Sequence, residues 1–403
     1  MHINDLLKRL HEKRGSDIHL KAGTRPLMRV DGQLTDLDDF DVLTNETIQE
    51  LFEQTTTEKQ RALFTKDLEL DFSYEAEGLG RYRFSAYYQR SSVCLACRQV
   101  QAEIPTIDEL FLPEVCKKLA LKDSGLILIC GPTGCGKSTT LAAMVGYMNH
   151  NVRRNIITIE DPIEYVHTDK LCSFSQRQVG TDTKSFNTAL RQALRQDPDV
   201  ILMGEMRDLE SIATTLTAAE TGHLVLTTLH APSAIQAIDR IIDIFSPHQQ
   251  EQVRLQLATT LRGILFQELI PRSDRPGRIA AVEVLLESEA VCNLIRTKKN
   301  YQLMNVIQSS AAEGMQSLDQ VIFKLYQKGI ISREHALVYS NESAQVRERI
   351  RDYYARKKSA GSRELSNHRT RSTERPVQDS VKGVRSQHYR SRSSPVQETP
   401  RDG

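Results

Sequence analysis

The sequence predicts an α/β protein: a small α+β domain, then a larger domain built on a mainly parallel sheet covered by helices. The chain has 403 residues, of which 39% are hydrophobic, enough to fill two cores. Segments that alternate at period two, as at 16–20 and 81–87, are typical of strands. Farther along, apolar segments alternate with helical stretches, which indicates parallel strands. These segments are 126–130, 156–159, 200–203 and 224–227.

The first domain is predicted to span residues 1–100. It opens on an amphipathic helix whose apolar positions repeat at helical spacing, and one further helix is expected around residues 45–66. The apolar positions of the first helix are Ile3, Leu6, Leu7 and Leu10. Turns between the strands are expected at Gly15, Gly23, Gly32 and Gly80.

Residues 101–112 contain Pro105 and no long periodicity, so they are predicted to be a linker. The second domain is expected at 113–358, with helices dominating from Pro247 onward. Residues 359–403 are rich in Ser and Arg and poor in large apolar side chains, which predicts a disordered tail. A solvated tail without a specific role is favoured over a basic tether to an acidic lipid surface or partner.

Composition excludes several classes of protein. No apolar run approaches the roughly 20 residues that cross a bilayer, and no signal peptide pattern opens the chain, so a cytoplasmic protein is expected. The seven cysteines are irregularly spaced and are interpreted as reduced thiols. The tail carries 9 Lys/Arg against 5 Asp/Glu, which leaves the body near −3. No nucleic-acid partner is therefore expected.

A phosphate-binding loop follows the first apolar strand of the second domain. The pattern G-x-x-x-x-G-K-[ST] is met between a strand and a helix-forming stretch, where backbone N–H groups can enclose phosphate oxygens. Lys137 would reach the β- and γ-phosphates of a nucleotide, and Ser138 would hold Mg²⁺. The predicted nucleotide-binding residues are Gly131, Pro132, Thr133, Gly134, Cys135, Gly136, Lys137, Ser138 and Thr139.

Hydrolysis requires carboxylates near the γ-phosphate, and two predicted strands end in them. One strand leads into the segment that contains Glu164, and another leads through Gly204 into Glu205, in a Walker B-like arrangement. A third strand ends at His230, which we interpret as a donor that senses the γ-phosphate. Together with the phosphate loop, these residues predict ATP hydrolysis.

The motifs as a set resemble those of the type IV pilus retraction ATPases, the twitching-motility (PilT/PilU) branch of the secretion ATPases. The resemblance covers residues 1 to about 358. It rests on the phosphate loop at 131–138, an Asp box at 157–164, a Walker B segment at 199–208, a His box at 220–230 and the opening segment 15–20. It implies a RecA-like ATPase domain preceded by a PAS-like domain, with ATP and Mg²⁺ bound.

The resemblance also implies roles and partners. Glu164 would activate the attacking water, Glu205 would support Mg²⁺, and His230 would contact the γ-phosphate, with His223 in the same box. Arginines of the first domain would cover the nucleotide, and Arg83 and Arg98 are the candidates. The family assembles as a homo-hexamer at the cytoplasmic face of the inner membrane. There it meets a pilus platform protein and, in some cases, a paralogous pilus motor.

Two alternatives stay open beside a retraction motor. Assembly and secretion ATPases carry a pair of Cys-x-x-Cys zinc motifs, whereas this chain has the single motif at Cys94 and Cys97, which disfavours that class. The other alternative is an accessory nucleotide-binding partner of a main motor. It arises because Cys292 stands where the retraction signature, matched at 290–296, has its first arginine.

Overall fold

The computed structural model describes residues 1–13, 15–30, 33–100 and 103–355. The predicted turn at Gly32, the start of the linker at 101–102 and the tail at 359–403 lie outside these residues. The chain divides into two compact units, Met1–Arg347 and Glu348–Gly403. The described residues of the second unit, 348–355, are helical.

The amino-terminal part is an antiparallel sheet with helices packed on it. Its sheet has the order β3-β2-β1-β6-β5-β4. The strands are β1 (Asp17–Leu20), β2 (Leu27–Val30), β3 (Gln33–Asp36), β4 (Glu69–Ala76), β5 (Gly80–Gln89) and β6 (Ser92–Gln99). The helices are α1 (Ile3–Glu12), α2 (Asn45–Thr55) and α3 (Glu58–Asp67).

Alternation along β5 decides which side of this sheet faces the core. Tyr82, Phe84 and Ala86 are fully buried, while Arg81 and Arg83 lie on the other face. Because successive strand residues point to opposite faces, the sheet presents a polar face built from its arginines. That face carries Arg83 and Arg98, the two arginines predicted to cover the nucleotide.

The single helix predicted around residues 45–66 was wrong, because the segment forms two helices. Thr56 has extended backbone at φ −122° and ψ 149°, which ends α2. Thr57 then caps α3: its side chain accepts a hydrogen bond from the Gln60 N–H while the Gln60 side chain caps Thr57 in return. Two adjacent threonines that can bond to nearby backbone account for the break.

The second part contains a seven-stranded sheet with the order β13-β12-β7-β11-β10-β8-β9, parallel except for the β12–β13 pair. This confirms the predicted α/β fold. The strands are β7 (Gly125–Cys130), β8 (Asn155–Glu160), β9 (Ser173–Gln178), β10 (Val200–Met203), β11 (Leu224–Leu229), β12 (Leu261–Pro271) and β13 (Arg278–Leu286).

Helices cover this sheet. They are α4 (Val115–Ala120), α5 (Lys137–Asn151), α6 (Phe186–Ala193), α7 (Leu209–Glu220), α8 (Ala234–Asp243), α9 (Pro247–Thr260), α10 (Glu289–Arg296), α11 (Leu303–Ser309), α12 (Leu318–Gln327) and α13 (Arg333–Val338). Short 3₁₀ turns lie at Asn300–Gln302 and Ala311–Glu313. None of the helices within the described residues is both long and apolar enough to span a bilayer.

The expectation that helices dominate from Pro247 was wrong over β12 and β13, which form an antiparallel hairpin. β12 is buried along nearly its whole length, so its apolar residues do not alternate. It also contains Leu, Gln and Glu, which are good helix formers. What makes it a strand is long-range pairing with β7, which local periodicity does not report.

Candidate nucleotide site

The phosphate loop joins β7 to α5 in a conformation that requires glycine. Gly131 and Gly136 have φ of +145° and +90°. A Cβ at Gly131 would lie 2.3 Å from the backbone oxygen of Gln267, and one at Gly136 would lie 2.9 Å from its Nε2. The loop therefore packs directly against β12, and only glycine fits at these two positions.

Lys137 begins α5 and is held inside the loop. Its Nζ donates to the carbonyl oxygens of Gly131 and Pro132, each at 2.9 Å, and the side chain is buried. The first N–H groups of α5 lack intrahelical partners and carry the positive end of the helix dipole. An ammonium group and a helix N-terminus meeting in one glycine cradle form an anion site suited to phosphate.

A cavity of about 560 Å³ opens over this loop. Most of the predicted site residues line it, although they come from distant parts of the sequence. Those that line it are Arg83, Thr133, Gly134, Gly136, Lys137, Ser138, Thr139, Glu164, Glu205 and His230. Gly131, Pro132 and Cys135 do not line it: Gly131 and Cys135 are buried, with Cys135 3% exposed, and Pro132 is exposed.

Glu205 and His230 lie together at the carboxyl ends of adjacent strands β10 and β11. The His230 Nε2 atom is 3.3 Å from Oε1 of Glu205, and the Arg207 Nε donates to Oε2 at 2.9 Å. The two strand ends are also joined by the Thr228 hydroxyl, which donates to the Gly204 carbonyl at 2.6 Å. The predicted acid and histidine thus lie side by side, 3.3 Å apart, at neighbouring strand ends.

His223 is not part of this group. It precedes β11 at the amino end of the strand, where its ring Nδ1 lies 3.0 Å from the Ala218 carbonyl and 3.1 Å from the Thr221 hydroxyl. His223 and His230 therefore lie at opposite ends of β11, and only His230 is at the carboxyl end, where the phosphate loop lies.

Glu164 lies in the loop that follows β8, and Glu160, the last residue of β8, is a second acidic group beside it. Burial raises the pKa of Glu160. Hydrogen bonds that its carboxylate accepts from Thr158 at 2.7 Å and Gln176 at 3.2 Å lower this pKa, but burial has the larger effect. Both acids line the cavity. Glu160 is half-buried and Glu164 is exposed, so Glu164 is the carboxylate in contact with solvent and can accept a proton from water beside the phosphate site.

The structure separates the two candidate arginines. Arg83 lines the cavity and donates from Nη2 to Asp71 at 3.0 Å. Arg98 is paired with Asp17, Nε to Oδ1 at 2.7 Å, and is not among the described residues that line the cavity. Burial opposes ionisation of Asp17, but hydrogen bonds from Ser16 and Arg98 outweigh it and lower the pKa of that carboxyl. The role of Arg98 stays a prediction.

A second cavity, of about 450 Å³, adjoins the other side of the phosphate loop at Gly136 and Thr139. One wall is the Phe111 ring, which is 58% exposed. The guanidinium groups of Arg272 and Arg275 lie 5.6 and 5.3 Å from its centroid. An aromatic ring flanked by arginines provides flat surfaces on which a planar group can stack.

Gln267 is a residue of the site that sequence reasoning missed, because its segment was predicted to be helical. It is 2% exposed on β12; its Nε2 donates to the Cys135 carbonyl at 2.6 Å, and its Oε1 accepts from the Thr140 hydroxyl at 2.7 Å. The side chain therefore fixes both the loop and the first turn of α5.

We expect Gln267→Leu to weaken ADP binding by about tenfold, because it removes the two hydrogen bonds that hold the phosphate loop in its binding conformation, and the loop must then be ordered when the nucleotide binds. Titration with a fluorescent ADP analogue measures the effect. Gln327→Leu, at an exposed glutamine that ends α12, is the matched control. Unchanged affinity in Gln267→Leu would show that the loop holds its shape without this side chain.

His167 also lines the cavity and was not predicted from the sequence. Its ring stacks on Phe174, with centroids 4.8 Å apart and planes 3° apart. Burial lowers the pKa of His167 to about 4. The ring is therefore neutral at pH 7 and adds no positive charge to the phosphate site.

This pKa predicts acid sensitivity. Below pH ~6.5 the unfolded chain binds a proton at His167 that the folded chain does not, so stability falls as pH drops toward about 4. The free energy of unfolding of wild type should fall between pH 7 and pH 5, and the fall should be smaller by about 2 kcal/mol in His167→Gln. Denaturant unfolding at the two pH values measures this, with exposed His248→Gln as control. Equal losses in wild type and His167→Gln would contradict it.

The site residues fit a magnesium nucleotide. The described residues contain no cluster of three or more His, Cys, Asp or Glu side chains suited to a metal ion. Mg²⁺ needs no such cluster, since it commonly takes one or two protein oxygens together with phosphate oxygens and water. The Ser138 hydroxyl and Glu205 carboxylate, which line the same cavity, supply that donor set.

A glycine cradle at the start of a helix, with acids and a histidine on neighbouring parallel strand ends, defines a P-loop ATPase. Comparison with known proteins agrees: a family profile described as "Type II/IV secretion system protein" matches residues 109–364. The chain belongs to this family.

Similar proteins narrow the relationship and confirm the resemblance to the pilus retraction ATPases. The chain is 43% identical to the type IV pilus ATPase PilU of Pseudomonas aeruginosa over 347 residues, 86% of this chain and 91% of that protein. It is 44% identical to the type IV pilus retraction ATPase PilT of the same organism over 336 residues, 83% and 97% of the two chains. A crystal structure of the pilus retraction motor PilT with bound ADP superposes with a TM-score of 0.80 at 46% identity, covering 85% and 97% of the two chains.

Proposed function

We propose that this protein is a motor ATPase that binds Mg-ATP and couples its hydrolysis to retraction of type IV pili. The observation that carries the proposal is the convergence on one cavity of the phosphate loop, the acids Glu164 and Glu205, His230 and, from the amino-terminal sheet, Arg83. Nucleotide binding alone needs only the loop. The other groups are those that hydrolysis requires.

Each side chain has a role that its position supports. Lys137 neutralises charge on the β- and γ-phosphates, and Ser138 with Glu205 would hold Mg²⁺, which would neutralise further phosphate charge. Glu164 accepts a proton from the attacking water. His230 donates to a γ-phosphate oxygen, and the neighbouring Glu205 keeps its ring in place. Arg83 adds the planar positive group that stabilises the transferring phosphoryl.

The cavity beside Phe111 accommodates the base. It touches the loop at Gly136 and Thr139, so a nucleotide held by its phosphates would reach it with its ribose and adenine. The exposed Phe111 ring and the apolar side chain of Leu269 provide stacking surfaces for a purine. This arrangement favours ATP over a bare polyphosphate.

Coupling to pilus retraction is supported by the relatives, PilT being named for pilus retraction. On the same basis we propose a homo-hexamer at the cytoplasmic face of the inner membrane, acting on the pilus platform protein. A second candidate is an accessory partner of a paralogous motor. It is favoured by Cys292, a half-exposed residue of α10 at a signature arginine position, and by an identity to PilU almost equal to that with PilT.

The enzymatic part of the proposal is tested by steady-state phosphate release from the purified protein. Wild type should turn over ATP, while Lys137→Ala and Glu205→Ala should not rise above background. If wild type releases phosphate no faster than these variants, the protein is not a hydrolytic motor.

A further inference from the structure

The amino-terminal sheet touches the ATPase sheet through Gln178, the last residue of β9. Gln178 is 5% exposed, and its Oε1 accepts two hydrogen bonds from the other sheet. The Ser73 hydroxyl of β4 donates at 3.0 Å, and the Arg81 Nη2 of β5 donates at 3.2 Å. One acceptor atom thus joins both strands of the β4–β5 hairpin to the ATPase domain.

Gln178 is itself firmly held. Its N–H donates to the Asp182 carboxylate at 2.8 Å, and its carbonyl accepts from the Asp182 N–H at 2.8 Å. In the parallel β8–β9 ladder it lies directly opposite Glu160, one of the acids that line the nucleotide cavity. The acceptor is therefore fixed relative to the catalytic edge of the sheet.

The two donors are the immediate neighbours of Arg83 on the polar face of the hairpin. Ser73 is paired with Arg83 across the β4–β5 ladder, and Arg81 precedes Arg83 by two residues, which places it on the same face. Fixing Ser73 and Arg81 consequently fixes the segment of β5 from which Arg83 extends into the cavity.

We propose that Gln178 is a positioning residue that seats Arg83 over the nucleotide. The inference rests on the proposed function, because Arg83 is taken to act on bound ATP. Gln178 touches neither the phosphate loop nor the acids through its hydrogen-bonding oxygen, so it acts on the reaction through Arg83. The requirement is for an acceptor at this point, which a glutamate would also supply.

The test is a double-mutant comparison of ATP turnover in the full-length chain. Gln178→Leu keeps the side-chain volume but removes the acceptor, and should lower kcat by about tenfold through misplacement of Arg83. Gln178→Glu keeps the acceptor and should remain within about threefold of wild type. In an Arg83→Ala background, Gln178→Leu should cause no further loss, because its effect acts through the missing guanidinium.

A second readout does not depend on hydrolysis. Hydrogen exchange in peptides covering β4 and β5 should accelerate in Gln178→Leu but not in Gln178→Glu. It should also stay unchanged in Gln99→Leu, a matched change on β6 at a side chain that contacts His11 of α1. If wild type does not hydrolyse ATP, the proposed function fails, and exchange alone decides the inference. Wild-type kcat in Gln178→Leu or in Arg83→Ala, a full additional loss in the double variant, or unchanged exchange would each overturn it.

Discussion

Replacing Glu164 with glutamine is expected to lower kcat for ATP hydrolysis by about a hundredfold or more. Glutamine has nearly the same shape but accepts no proton from water, and general-base catalysis is worth ~10²–10⁴ in rate. Glu164 lies in the loop after β8 and is not a residue of the phosphate loop, and glutamine keeps its size, so nucleotide affinity should change little. Rapid-quench single-turnover measurement with saturating Mg-ATP reports the rate.

Variants of two other carboxylates are the controls for Glu164→Gln. Glu205→Gln should raise the Mg²⁺ concentration needed for half-maximal rate, an effect that Glu164→Gln should not show. Glu77→Gln, at an exposed residue in the turn between β4 and β5, should behave as wild type. A Glu164→Gln enzyme within a few-fold of the wild-type rate would assign proton transfer to another group, and Glu160, which lines the same cavity, is the next candidate.

Replacing Arg83 with alanine is the second large effect expected, a loss of at least about a hundredfold in kcat. Arginine residues that reach a transferring phosphoryl group contribute ~10³–10⁵ in rate, and Arg83 is the guanidinium of the amino-terminal sheet that lines the cavity. Arg83→Lys should recover only part of the rate, since an ammonium cannot reproduce the planar fork.

The two candidate arginines, Arg83 and Arg98, can be told apart by the same assay. Arg98→Ala removes a partner of Asp17 rather than a group of the cavity. The free energy of unfolding should therefore fall, while kcat should stay close to that of wild type. Arg25→Ala, which breaks contacts with the backbone carbonyls of Asp38 and Phe40, is the control. An undiminished rate in Arg83→Ala, or a loss in Arg98→Ala as large as that expected for Arg83, would contradict the placement of the arginines.

Local patterns account for much of what could be predicted. The phosphate loop is a contiguous motif whose glycines are explained by the close approach of β12. Glu205 and His230 were each predicted at the end of a strand, and parallel strands deliver their carboxyl ends to one edge, a rule that needs only the strands. Their contact at 3.3 Å follows from the adjacency of β10 and β11.

Sequence reasoning failed where long-range pairing decides the structure. Gln267 was hidden because β12 is buried along nearly its whole length and is rich in helix formers, so the residue that supports the phosphate loop was predicted to lie on a helix. β9 was missed because it is a polar edge strand without an apolar pattern. Nothing in the sequence therefore marked Gln178 as a contact between the two sheets.

The distinction between Arg83 and Arg98 depended on the same kind of information. Both arginines lie on the polar face of the amino-terminal sheet and are paired across β5 and β6. Sequence alone treats them alike. What separates them is a buried Asp17 on β1, which takes Arg98, while Arg83 remains at the cavity.

The most direct test of a retraction motor is made in cells that carry this protein. Deletion of its gene, with complementation by wild type or by Lys137→Ala, should be followed by counting surface pili and measuring twitching. The expected result is cells that are hyperpiliated and do not twitch, restored by wild type but not by Lys137→Ala. Deletion cells that lack pili would contradict retraction and indicate assembly instead.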